Sequence, residues 1–220
     1  MRSRSARILR GLYAITPDMA DTQALAERVE QALAGGAALL QYRNKSAAPA
    51  LALEQARRLA ALCQAHGVPF VVNDSIELAV ASGADGVHLG RDDASAADAR
   101  RAIPGALVGV SCYADPARAR AAAMAGADYV AIGSVFASST KPGAARAALE
   151  LLAAARAESG LPVVAIGGIT HANAPQAIAA GADMVAVIGA VFEAPDVNGA
   201  ALGFARLFSE PSSGSRDART

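Results

Sequence analysis

One phrase recurs along this chain and limits its fold more than any other feature. AGGAALL (34–40), SGADGVHL (82–89), AGADYVAI (125–132) and AGADMVAVI (180–188) share the pattern small-Gly-Ala-Asp-x-Val, most loosely in the first copy. The glycine suits the end of a helix, where a positive φ costs little, and the residues after it read as a strand. Eight short β-rich runs lie along the chain: Leu12–Thr16, Ala38–Arg43, Phe70–Asn73, Gly86–Leu89, Leu107–Ser111, Tyr129–Phe136, Val163–Ile166 and Met184–Ile188. The phrase precedes the second, fourth, sixth and eighth runs and never an odd one. Stretches with apolar residues at helical spacing separate the runs, among them Thr22–Ala34, Ala50–His66, Pro116–Met124 and Ala144–Glu158. Runs such as FVVN and PVVAI are apolar throughout rather than alternating, the mark of parallel strands covered on both faces. Four βαβα quarters predict an α/β chain folded as a single (β/α)8 TIM barrel over residues 10–208. An open doubly wound sheet is the alternative. Residues 1–9 are expected to form an N-terminal arm, and 209–220, a polar stretch, a disordered tail.

Composition narrows the function. Lys+Arg and Asp+Glu are 20 each, so the formal net charge is zero. That argues against nucleic acid or a membrane surface as a partner, since both call for a basic excess. No apolar run approaches the length of a membrane span. The basic, briefly apolar N-terminus stops at Thr16-Pro17-Asp18 with no small-residue cleavage site, so it is not read as a signal peptide. Cys63 and Cys112 lie far apart with no CxxC, as expected of buried free thiols in a cytoplasmic protein.

Active sites of such barrels form at the C-terminal ends of the strands. The second run ends Gln41-Tyr42-Arg43-Asn44-Lys45, and strand alternation puts Gln41, Arg43 and Lys45 on one side. An amide and two cations there suit a polyoxygenated anion; the plainer alternative is a solvated strand end. Of the 20 basic residues only two are lysine, Lys45 and Lys141, and both fall at strand ends, where a compact mobile charge suits phosphate. The third run ends Asn73-Asp74 and the fourth is followed by Gly90-Arg91-Asp92-Asp93. Asp74 and Asp93 on neighbouring strands could share Mg2+, which takes one or two carboxylates and completes its shell with water and phosphates. Taken singly, each reads better as a helix N-cap. His88, inside a strand, reads as packing, and Ser111 is a lone hydroxyl. Ser138, Ser139, Thr140 and Lys141 make a polar loop able to cradle phosphate. Gly167-Gly168 and Ile188-Gly189, after the seventh and eighth runs, stand where such barrels bind phosphate through backbone N–H groups. Two anion sites suggest two phosphorylated substrates. No Ser-His-Asp, Cys-His, zinc or dinucleotide pattern is visible.

QYRNK (41–45), ND (73–74), GVHLGRDD (86–93), GVS (109–111), DYVAIGSVFASSTKPG (128–143), AIGGI (165–169) and VIGA (187–190), in this order, resemble the thiamine-phosphate synthase family. The resemblance implies a transferase of thiamine biosynthesis. It would join 4-amino-5-hydroxymethyl-2-methylpyrimidine diphosphate to 4-methyl-5-(2-hydroxyethyl)thiazole phosphate, or its carboxylated form, giving thiamine phosphate and pyrophosphate. It further implies that Gln41, Tyr42, Arg43, Asn44, Lys45, Asn73, Ser111 and Lys141 hold the pyrimidine diphosphate, with Arg43, Lys45, Ser111 and Lys141 catalytic. Asp74 and Asp93 would carry Mg2+, and Ser138, Ser139, Thr140, Gly168, Ile188 and Gly189 would meet the thiazole phosphate. Three positions depart from the family's usual residues: Arg91 (commonly Gln), Ser138 (Thr) and Gly189 (Ser). A thiazole tautomerase, a non-catalytic binder of a phosphorylated ligand and another phosphate-binding barrel enzyme, such as an isomerase of tryptophan synthesis, are the rivals. The sequence leaves the oligomeric state open.

Overall fold

A computed structural model describes residues 9–137 and 146–209. In chain order the elements are β1 (Gly11–Ile15), α1 (Thr22–Ala34), β2 (Ala37–Tyr42), α2 (Pro49–His66), β3 (Phe70–Asn73), α3 (Ile76–Ser82), β4 (Gly86–Leu89), α4 (Ala96–Ala102), β5 (Leu107–Tyr113), α5 (Pro116–Met124), β6 (Tyr129–Gly133), α6 (Glu150–Ser159), β7 (Val163–Ile166), α7 (Ala174–Ala179), β8 (Met184–Val187), α8 (Gly189–Phe192) and α9 (Val197–Arg206). Each strand pairs in parallel with the next, and β1 pairs with β8 as well as β2, so the sheet closes. The expected (β/α)8 barrel is the fold, and closure excludes the open doubly wound sheet.

The recurring phrase is the fastening of the barrel's N-terminal end. Its glycines, Gly36, Gly83, Gly126 and Gly181, all have φ between 74° and 104°, a region that L side chains avoid. Its aspartates reach back to the strand before: the carboxylates of Asp85, Asp128 and Asp183 accept from the backbone N–H of Phe70, Val108 and Val163 at 2.8–3.0 Å. Arg100 of α4 ties its loop further, donating to Gly126 O at 2.7 Å and pairing with Asp128. Arg156 of α6 pairs with Asp183 in the same way. Each such bond to a charged acceptor is worth about 1.5–3 kcal/mol. The repeat is therefore structural and lies at the end of the barrel away from the active-site mouth.

Strand alternation separates two cores. Leu39, Val71, Tyr129, Ala131, Val164 and Met184 pack inside the barrel. Leu40, Val72, Val130 and Ile132 face outward and pack with Leu25 of α1 and Leu59 of α2. Burial on both faces explains the unbroken apolar runs.

Boundaries differ from the sequence expectation mainly around β6. The strand stops at Gly133 rather than Phe136, because Ser134 turns the chain, its hydroxyl donating to Phe136 O at 2.8 Å. Helix α6 begins at Glu150 rather than Ala144; Ala147 N–H is instead spent on Ser134 O at 2.8 Å. The expectations for residues 1–8 and 210–220 lie outside the described residues. Cys63 and Cys112 are buried and free, and burial pushes both thiols up to about 12. Among the described residues no helix is long and apolar enough to cross a membrane.

Candidate active site

The C-terminal ends of β1 and β2 are locked together. The Thr16 hydroxyl, fully buried, accepts from Arg43 N–H at 2.8 Å and donates to Arg43 O at 2.9 Å. One turn on, Asp18 accepts from Arg43 Nη1 at 3.0 Å and from Lys45 N–H at 3.1 Å. Asp18 thus fixes the direction of the Arg43 guanidinium, a role sequence reasoning missed. The signal was an acid placed just after the first strand. Lys45 reaches the other way, its ammonium 3.8 Å from Asp74.

Gln41 shares the Arg43 face but lies deeper, whereas Tyr42 and Asn44 take the opposite face. Gln41 is buried inside the barrel, and its amide donates to Tyr13 Oη at 2.5 Å. Tyr42 donates to Gln55 Oε1 of α2 at 2.9 Å, and Asn44 donates to Met19 O at 2.8 Å and to Gln55. The Tyr42 and Asn44 side chains are committed to the helix layer. They line a cavity of about 130 Å3 with Ala52, Leu78, Asn73 and Asp74.

Asp74 and Asp93 are not helix caps. Ser75 caps α3 and Ser95 caps α4, each accepting from the backbone three residues on. Asp74 instead follows β3 in a left-handed conformation, φ 66°, which its short polar side chain tolerates. Its carboxyl is raised from 3.8 to about 6, first by burial and then by hydrogen bonding with Asp93 and that residue's charge; Lys45 and Asn73 pull it back. Asp93 accepts from Gly90 N–H at 2.6 Å. Two close carboxylates with one partly exposed ammonium beside them form a site short of positive charge. That all-oxygen donor set fits a hard cation such as Mg2+. Among the described residues no group of three or more His, Cys, Asp or Glu is placed to hold a metal, so water and ligand oxygens would complete the shell. Arg91, unexplained by sequence alone, is packed on Tyr113. Its guanidinium lies 4.6 Å over the Tyr113 ring and its N–H donates to Tyr113 Oη at 3.1 Å, while Arg118 covers the same ring at 5.6 Å.

Below the mouth, His88 does more than pack. Its Nδ1 lies 3.1 Å from Tyr129 Oη and its Nε2 2.9 Å from Ser111 Oγ. Tyr129 Oη also meets Tyr13 Oη at 2.8 Å. Burial pushes His88 down to about 4, so it is neutral, and holds both tyrosines well above their ordinary range. Gly109 makes room: a Cβ there would collide with the Tyr129 ring.

Ser138, Ser139, Thr140 and Lys141 lie outside the described residues. Gly168 follows β7 with φ 62°, and Ala137 O fills the space its Cβ would need, so glycine is required there. Asn173 Nδ2 donates to Gly168 O at 2.9 Å. Ile188 follows β8, and Gly189 opens α8 against the Glu193 carboxylate, 3.1 Å from where a Cβ would stand. All three residues share the mouth with Arg43, Lys45, Asp74, Asp93 and Ser111. His171 lies elsewhere, stacked on Phe204 at 3.9 Å.

The sequence family described as thiamine monophosphate synthase matches residues 12–191. A thiamine-phosphate synthase of Aromatoleum aromaticum is 57% identical over 201 residues, covering 91% of this chain and 97% of the relative. That of an Azoarcus species is 56% identical over 202 residues, covering 91% and 98%. A solved structure of a thiamine phosphate pyrophosphorylase from Pyrococcus furiosus superposes with a TM-score of 0.83 at 35% identity, covering 92% of this chain and 97% of that one. The chain belongs to the thiamine monophosphate synthase family and is a transferase of thiamine-phosphate synthesis.

Proposed function

We propose that this enzyme joins 4-amino-5-hydroxymethyl-2-methylpyrimidine diphosphate to 4-methyl-5-(2-hydroxyethyl)thiazole phosphate, or its carboxylated form, releasing pyrophosphate. The observation that carries the reading is the carboxylate pair Asp74–Asp93 set beside Lys45 and Arg43 at one mouth of the barrel. A diphosphate is the ligand such a mixed set suits. Its oxygens can take Arg43, held by Asp18, and Lys45, which is free to swing because its side chain is 57% exposed. Mg2+, held by Asp74 and Asp93, would neutralise charge on the diphosphate when bound.

The chain's own contribution is electrostatic and positional. Arg43 and Lys45 stabilise the negative charge that grows as the methylene–oxygen bond breaks. Ser111, at the floor of the same mouth, donates to the substrate. The electron-rich aminopyrimidine supports positive charge on its methylene, so departure of pyrophosphate precedes attack by the thiazole nitrogen. No side-chain nucleophile is needed. Gly168, Ile188 and Gly189, with Ser138, Ser139 and Thr140, are the residues assigned to the thiazole phosphate, and Lys141 joins Arg43 and Lys45 on the diphosphate. Holding two substrates face to face supplies much of the rate.

The test is a Mg2+ titration of pyrophosphate release in the wild type, Asp74→Asn and Asp93→Asn. Saturable Mg2+ activation should appear in the wild type and be lost in both variants. Equal Mg2+ activation in all three would sink the metal assignment.

A further inference from the structure

Five side chains from five strands form one hydrogen-bonded chain across the barrel: Gln41 (β2), Tyr13 (β1), Tyr129 (β6), His88 (β4) and Ser111 (β5). Residues 28, 116, 41 and 23 positions apart in sequence make its four links. Only Ser111, at the upper end, is more than marginally exposed; the other four are buried.

Donor counting gives this chain a direction. The Gln41 amide nitrogen only donates, so Tyr13 Oη must accept from it. Tyr13 has one proton, and Tyr129 Oη, 2.8 Å away, takes it. Tyr129 has one proton, and His88 Nδ1 takes that. With Nδ1 accepting, the ring proton of His88 is on Nε2, where it donates to Ser111 Oγ. An imidazolium would donate from both nitrogens and leave the Tyr129 proton without an acceptor in a closed apolar interior, at real cost. With its lone pair engaged from below, the Ser111 hydroxyl keeps its own proton for whatever fills the mouth above.

We propose that Tyr13, Tyr129 and His88 are positioning residues that orient Ser111 as a hydrogen-bond donor to the bound pyrimidine diphosphate. This rests on the reading of Ser111 as a substrate contact. A hydroxyl free to rotate would spend part of its time as an acceptor, which a diphosphate cannot use; the chain removes that option before the substrate arrives.

Two measurements test it. The first is side-chain 15N NMR of the ligand-free protein, whose three histidines are assigned by the signal lost in His88→Gln. The Nε2–H tautomer at His88 is expected in the wild type, and a mixture of tautomers in the near-isosteric Tyr129→Phe. An Nδ1–H tautomer in the wild type would overturn the proposed direction. The second is a double-mutant cycle on pyrophosphate release. Tyr129→Phe should lower kcat/KM about tenfold, as expected for one lost hydrogen bond, and should cost nothing more in a Ser111→Ala background. Additive losses would show that Tyr129 does not act through Ser111. A wild type that released no pyrophosphate would overturn the substrate assignment, and with it this role of Ser111, whatever the tautomer.

Discussion

Asp74→Asn should make the metal-free enzyme more stable while removing its activity. The Asp74 carboxyl, raised from 3.8 to about 6 beside Asp93, is a group whose charged form the fold disfavours. Above pH 6 the folded protein holds it ionised against that cost. Below about pH 4 it is protonated in folded and unfolded states alike, and the cost vanishes. A shift of that size would be worth about 3 kcal/mol for a fully buried group. The Asp74 side chain is 37% exposed, so solvent screening reduces the figure to about 1–1.5 kcal/mol. The amide removes the repulsion, keeps the hydrogen-bonding shape and suits φ 66° as well as aspartate does. For a domain of this size the gain corresponds to about 3–5 °C in Tm. Thermal unfolding followed by circular dichroism in EDTA should show that gap at pH 7.5 and lose it as the pH falls from 6 to 4. Adding Mg2+ should raise the wild-type Tm and leave the variant unmoved. A Tm for Asp74→Asn at pH 7.5 equal to or below that of the wild type would refute the electrostatic reasoning.

Asp128→Ala, at the fastening end, should cost about 2–3 kcal/mol because Val108 N–H and Arg100 both lose their acceptor; urea unfolding reads the loss, and kcat should not change. Gly109→Ala should cost about 1–3 kcal/mol by driving a Cβ into the Tyr129 ring, again by urea midpoint, and should shift the His88 ring signals. Asp18→Ala should free Arg43 and lower kcat/KM for the pyrimidine diphosphate by about tenfold, the loss of one charge-assisted hydrogen bond.

The fold was legible because its cues are local and repeated. A glycine at positive φ stands before each even-numbered strand, followed two residues later by an aspartate in three of the four copies, and such an echo needs no tertiary information to be read. The strand ends were legible for the same reason, since Arg43, Lys45, Asp74 and Asp93 all lie within four residues of the end of an apolar run. The N-cap alternative for the two aspartates failed because Ser75 and Ser95, one and two residues on, do that work. What stayed hidden depends on barrel closure. Tyr13 and Tyr129 stand inside apolar runs with nothing local to mark them, and only closure sets their hydroxyls 2.8 Å apart. Asp18, an acid just after the first strand, was passed over as a site residue because its partner, Arg43, lies at the end of another strand. Arg91 departs from the family's usual residue, and only the Tyr113 ring beneath it explains where its charge goes.

The central claim is that one barrel mouth binds two substrates and lets pyrophosphate leave one of them with a metal's help. The most direct test measures pyrophosphate and thiamine phosphate together, with the pyrimidine diphosphate alone, the thiazole phosphate alone, both with Mg2+, and both with EDTA. The account predicts equal amounts of the two products only when both substrates and Mg2+ are present. Undiminished product in EDTA, or no thiamine phosphate under any condition, would contradict it.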